Sequence, residues 1–236
     1  MKQPPRILPQ LTYSDLTSST LLRTITEEGD EDYYWSDDFS AKFYAAQARA
    51  GFMAVTERHK GSELLLPELQ YRYAILDFDD LHISRKVQRI LRRNPPSLHV
   101  GLGLQTAYEG IHAHHPRSWL TPRYLRTLEA VNALSGDVHI VSVLLRHEGE
   151  ITAGEIGYIL GRTYTSLSGF SSRDPRYRNQ GTTQLVLLGQ WLQQHRFAFW
   201  NLGQPYMAYK FSLGAKVYSR QDFLTRWRSA IAQSLS

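Results

Sequence analysis

Three short stretches rich in Val, Ile, Thr and Tyr follow one another over residues 138–146, 151–160 and 163–170, separated only by breaks around Gly149 and Gly161. Links this short give each strand its sequence neighbour as partner, so the pattern predicts an antiparallel meander. Residues 181–195 then read as an amphipathic helix and 197–203 as a buried strand. A strand reached through a helix has the length of connection that a parallel pairing needs. A last short helix begins near Arg220.

Meander, helix, parallel strand is the order of the N-acetyltransferase (GNAT) architecture, so the expected fold class is mixed α/β, a GNAT-like acyltransferase fold with a small N-terminal subdomain. Residues 1–32 mix Pro, Ser, Thr and acids without a helical or strand period and are expected to form a tail or loosely packed arm. Residues 33–80 make up the small subdomain, with an Ala-rich helix that starts near Asp38 and Ser40 and ends at Gly51, and a strand over 73–78. The GNAT-like domain covers 81–236. It includes a helix opened by Thr121-Pro122 and closed near Gly136.

With 42% hydrophobic residues among 236, the chain can build a sizeable core. It has no cysteine, which excludes disulfides, thiolate metal sites and a cysteine nucleophile. No apolar run approaches the roughly 20 residues of a membrane-spanning helix, and the N-terminus lacks the apolar segment of a signal peptide, so a cytoplasmic protein with no membrane partner is expected.

The formal net charge of +5 is unevenly spread. Seven acids lie between Glu27 and Asp38, whereas Arg85, Lys86, Arg89, Arg92 and Arg93 occur with no acid among them. Residues 81–93 read as a helix that places Val87, Ile90 and Leu91 on one side and the four arginines on another, stopped by Asn94-Pro95-Pro96. Such a stripe either docks a polyanion or is an ordinary solvated face.

Two further patterns have chemical readings. Arg178-Asn179-Gln180-Gly181-Thr182-Thr183 resembles the loop with which acetyltransferases hold the coenzyme A pyrophosphate at a helix N-terminus, with Thr183 where a smaller residue is usual. His112, His114 and His115 cluster in what reads as a loop, but without an acid or a further histidine at ligand spacing, so no metal is expected.

The segments DDFSAKFYAAQARAGFM, LHISRKVQRILRR, SWLTPRYLRTLEAV, GFSS and SLGA occur in the order and approximate spacing of those in the leucyl/phenylalanyl-tRNA-protein transferases, over residues 38–226. The resemblance implies transfer of an amino acid from an aminoacyl-tRNA to the N-terminal α-amine of an acceptor protein or peptide, with no cofactor. It implies that Arg85, Lys86, Arg89, Arg92 and Arg93 grip the tRNA acceptor stem, as phosphate contacts need several cations on one face. It places Trp119 and Thr121 beside the terminal adenosine and aminoacyl group, and Ser168 and Phe170 in the substrate pocket.

The chain also departs from the family. Leu167 stands where the family has a glutamate, and Asn201 or Leu202 where it has an aspartate. Gln204 matches the family glutamine, so Asn201 and Gln204 are the catalytic candidates; each could instead serve as a strand-end residue satisfying backbone groups. Glu155 replaces a methionine of the apolar donor pocket, and Ala54 a wall tryptophan. A carboxylate there must meet a cation, hydrogen bonds or water. Glu155 either faces the donor side chain or is paired internally, for example with Arg162. Aminolysis tolerates a weak base, because an α-amine with a pKa of roughly 7.7–8.0 is partly neutral already. The alternatives are an acetyl-CoA-dependent N-acyltransferase and a catalytically inactive tRNA-binding protein.

Overall fold

The computed structural model describes residues 8–101 and 103–234. Near its start, α1 (Tyr13–Thr17) is closed by a capping box in which the Thr12 N–H donates to Asp15 Oδ2 at 2.8 Å and the Asp15 N–H to the Thr12 hydroxyl. Ser18 caps α2 (Ser19–Arg23), which runs on into a π-helical turn over Thr24–Glu28. Leu11 and Leu16 are buried in the larger core cluster and Gln10 bridges to Trp35. The expected loose arm is therefore corrected from residue 8 onward, since two leucines five positions apart anchor a segment whose polar composition disguised them; residues 1–7 lie outside the described residues.

Helix α3 (Ala41–Arg49) starts at the Ser40 hydroxyl, which accepts the Phe43 N–H at 3.2 Å, and the chain turns away at Gly51 with φ 87°. Next come β1 (Met53–His59) and β2 (Ser62–Glu68), an antiparallel hairpin turned by Lys60 and Gly61, both at positive φ. They form a sheet of their own. Strand β3 (Arg72–Leu76) does not join them.

The remaining elements are α4 (Arg85–Arg93), β4 (Ser97–Val100), α5 (Leu104–His114), α6 (Pro122–Ala133), β5 (Val138–His147), β6 (Glu150–Leu160), β7 (Thr163–Ser171), α7 (Gln180–Gln194), β8 (Phe199–Asn201), α8 (Ala208–Ser212), β9 (Lys216–Ser219) and α9 (Arg220–Ile231). The meander, the helix and the returning strand stand where the sequence places them. Helix α5 does not: its histidines read as a loop, yet Gly103 in the left-handed region starts a helix that carries His112 and His114.

Seven strands form one sheet in the order β4-β5-β6-β7-β8-β3-β9, in which β7–β8 is the parallel pair and the others are antiparallel. The sheet is covered on both faces, because alternate residues of one strand enter different cores. Tyr73 and Ile75 of β3 join the cluster under α3, α6 and α9, while Ala74 and Leu76 join the one under α4 and α7. The strand expected at the end of a 33–80 subdomain is thus built into the larger sheet, between β8 and β9.

Arg220 at the start of α9 ties the N-terminal segment to the sheet by donating to the carbonyls of Gly29, Glu31, Leu69 and Gln70. Among the described residues no helix is long and apolar enough to cross a membrane.

Candidate active site

Strand β8 pairs with β7 only through Phe199, Trp200 and Asn201, opposite Thr163, Tyr164 and Thr165. Beyond Thr165 the two chains part: β7 continues to Ser171 and the other leaves as the 202–210 segment. The opening is a cleft of about 840 Å³, with residues 166–173 on one wall and Leu202, Gly203, Gln204 and Lys210 on another. Ligand clefts form at such openings because backbone polar groups and side chains from several elements converge there.

A bulge shapes the β7 wall. Ile156 faces Ser168 and Gly157 faces Ser166, so Leu167 has no opposite residue, and Ser166, Leu167 and Ser168 all border the cleft. Gly157 permits this approach, as a Cβ there would lie 2.5 Å from the Thr165 carbonyl oxygen.

Glu155 is buried at 3% exposure and borders the cleft. Its Oε1 accepts the Tyr164 hydroxyl at 2.8 Å and the Ser166 hydroxyl at 2.7 Å, and its Oε2 accepts Gln184 Nε2 at 3.0 Å. Burial raises its pKa above the ordinary glutamate value, against the pull of those three bonds. The expected partner Arg162 is engaged elsewhere, donating to the Arg196 carbonyl at 2.9 and 2.6 Å and to Gln233.

A second carboxylate, which the sequence did not reveal, comes from the hairpin. Glu68 at the end of β2 lines the cleft, and Gln204 Nε2 donates to both its oxygens at 2.9 and 2.8 Å. The same nitrogen lies 3.2 Å from the Tyr33 hydroxyl, whose pKa burial and then Glu68 push up to about 12. Burial also raises Glu68 above its ordinary value. Lys210, 5% exposed, donates to the carbonyls of Leu202 and Gln204, and burial lowers its pKa to about 8.

The other expected residues divide. Trp119, Ser168, Phe170 and Ala54 border the cleft. Trp119 is also packed edge-on against Tyr124 at 5.2 Å, and Phe170 fits beside Gly154, where a Cβ would lie 2.9 Å from its ring. Thr121 is not on the described wall: its hydroxyl accepts the Tyr124 N–H to cap α6 and bonds Glu63. Asn201 is also off the wall and 1% exposed, with its side-chain oxygen occupied by the Gly203 N–H at 3.0 Å. The oxygen expected to orient the amine is thus engaged with the protein's own backbone in Asn201. It closes the turn that carries Gln204 into the cleft.

The cations of α4 stand apart from this site. Arg85, Arg89, Arg92 and Arg93 border a surface hollow with Gln88, while Val87 alone of the helix is fully buried. All five cations, Lys86 included, are exposed, and none forms an ion pair with another described residue. In the first turn of α7, Thr183 is buried with its hydroxyl on the Asn179 carbonyl, while Gly181 and Thr182 border the cleft. Among the described residues no three His, Asp or Glu gather to hold a metal ion. His112 bonds the Leu120 carbonyl and His114 that of Gly110.

A mixed sheet with a meander, a helix and a parallel strand, opening into a polar cleft where that strand parts from its neighbour, defines a GNAT-like acyltransferase fold. The model of the leucyl/phenylalanyl-tRNA protein transferase family matches residues 75–228. The chain belongs to that family. It is 33% identical over 158 residues to the leucyl/phenylalanyl-tRNA–protein transferase of Maridesulfovibrio salexigens, covering 64% of this chain and 61% of that one. It is 25% identical over 160 residues to the enzyme of the same name from Dinoroseobacter shibae, covering 67% of each. The solved structure of FemX is similar at 13% identity and a TM-score of 0.49, over 92% of this chain and 81% of that one; the fold assignment rests on the strand order and not on that likeness.

Proposed function

We propose that this protein transfers an amino acid from a charged tRNA to the N-terminal α-amine of a protein or peptide, and that it does so in the cytoplasm, where charged tRNA is found. The observation that carries the reading is a cleft at the parted strands holding a carboxylate–glutamine pair, Glu68 and Gln204, in a chain whose α4 presents an unpaired cationic face. The arginines of α4 grip phosphates without reading sequence, as a partner with one acceptor-stem backbone requires. Trp119 offers a flat apolar face for the terminal base.

In the reaction the acceptor amine attacks the ester carbonyl carbon, the C–N bond forms, and the C–O bond to the ribose breaks. The amine gives up one proton and the departing ribose oxygen gains one. Glu68, oriented by Gln204, takes and returns that proton, so a residue of the N-terminal hairpin performs the task of the carboxylates missing at Leu167 and at 201–202. Lys210 acts through Gln204, as it holds the carbonyls on both sides of the turn. Because the ester is already activated, positioning supplies much of the rate.

The test is incubation with a panel of charged tRNAs and acceptor peptides, with acetyl-CoA in parallel. Label reaching peptide N-termini from tRNA supports the reading. Acetyl transfer, with none from any tRNA, would overturn it.

A further inference from the structure

Glu155 carries a substrate-class inference that rests on the aminoacyl-transfer reading. An ionised carboxylate has about four acceptor positions. Three of Glu155's are filled, two on Oε1 by Tyr164 and Ser166 and one on Oε2 by Gln184. All three donors are neutral, and Glu155 forms no ion pair with a described residue. The cations that border the same cleft do not pair with it: Lys210 holds two backbone carbonyls, Arg173 donates to the His114 carbonyl, and Arg117 is exposed.

A buried carboxylate on a ligand cleft, solvated on three sides by neutral groups, lacks only a counter-charge. An apolar side chain against it would strip its remaining water and return nothing, whereas an ammonium or guanidinium would fill the fourth position and neutralise it. Tyr164 and Gln184, which bond Glu155, are themselves 1% and 3% exposed, so the carboxylate is set deep in the protein. A carboxylate at that depth suits a single side chain hanging from an ester, while an acceptor chain has to run out of the cleft.

We propose that the cleft selects a donor amino acid with a cationic side chain, with Glu155 as its counter-ion.

The test compares tRNAs charged with lysine, arginine, leucine and phenylalanine on one neutral acceptor peptide, for the wild type, E155Q and E155M. Glutamine is isosteric, its Oε1 still accepts from Tyr164 and Ser166, and its NH2 is met by the Gln184 oxygen once that amide turns over. The wild type is expected to favour cationic donors about tenfold or more in kcat/KM, E155Q to lose that preference, and E155M to favour leucine and phenylalanine. A leucine or phenylalanine preference unchanged by E155Q overturns the proposal, as does a cation preference that follows the acceptor's first residue instead of the donor. Calorimetry with argininamide, lysinamide and leucinamide gives a second readout: tighter binding of the cationic amides, lost in E155Q, supports the proposal. If cationic amides bind in this way but no tRNA serves as donor, the aminoacyl-transfer reading alone falls. Transfer without cation preference overturns the substrate class alone.

Discussion

Gln204 Nε2 lies 2.9 and 2.8 Å from the two oxygens of Glu68, joining residues that are 136 positions apart in the chain. One amide thereby fixes the plane of a carboxylate that forms no ion pair with a described residue. If Glu68 is the proton acceptor, E68Q lowers kcat about 100-fold and leaves KM for charged tRNA near its original value. Burial holds the Glu68 pKa above the ordinary value, so the acid limb of the wild-type rate profile falls at higher pH than that of a solvated glutamate, and E68Q removes it. Single-turnover rates across pH would check both.

The α4 stripe predicts a loss that salt reveals. With Arg89 and Arg92 both replaced by alanine, tRNA binding weakens and the slope of log affinity against log salt falls by about one to two units. Filter binding across a salt series measures this. An unchanged slope in the folded double variant would separate α4 from the RNA.

Glu155 makes the free protein pH-sensitive. Its folded pKa is raised above the unfolded value by burial, so its contribution to stability is full below the unfolded value and is lost as pH rises through the folded one. E155Q escapes that loss. Its Tm is expected to match the wild type near pH 4 and to exceed it at pH 8. A gap that stays constant over this range would show that ionisation of Glu155 is not its source.

Gly214→Ala tests the part of the SLGA segment that has no chemistry to perform. Gly214 sits at φ 110°, and a Cβ there would collide with the Asp80 carbonyl oxygen. The obstructing atoms belong to the Asp80 backbone, so the chain itself must move, at an expected cost of about 3 kcal/mol and a fall in Tm of roughly 10 °C. Thermal denaturation reads it directly.

That position also shows what the sequence could and could not disclose. LHISR and SLGA look like functional signatures, but the His82 N–H donates to the Leu213 carbonyl at 2.9 Å, and much of what the two motifs encode is their contact with each other. The meander, α7 and the arginine stripe were legible because period and turn residues are local properties. The hairpin of β1 and β2 was hidden: Lys60-Gly61 is a good turn, but 64–66 is a run of leucines without alternation. Glu68 had no local signal at all, since only the folded chain sets it against Gln204. Arg162, close to Glu155 in sequence, was the wrong partner because it lies in the turn after β6 and reaches the carbonyl of Arg196.

The place of β3 in the sheet governs the order in which the molecule can be completed. Both of its neighbours, β8 and β9, come from residues 199–219. During synthesis from the N-terminus, β3 therefore emerges more than a hundred residues before anything that can pair with it, and both its edges stay open to other chains in the meantime. A ribosome that stalls anywhere before β9 releases a chain with at least one of those edges bare, so for this protein an incomplete copy is an aggregation risk and not merely an inactive one.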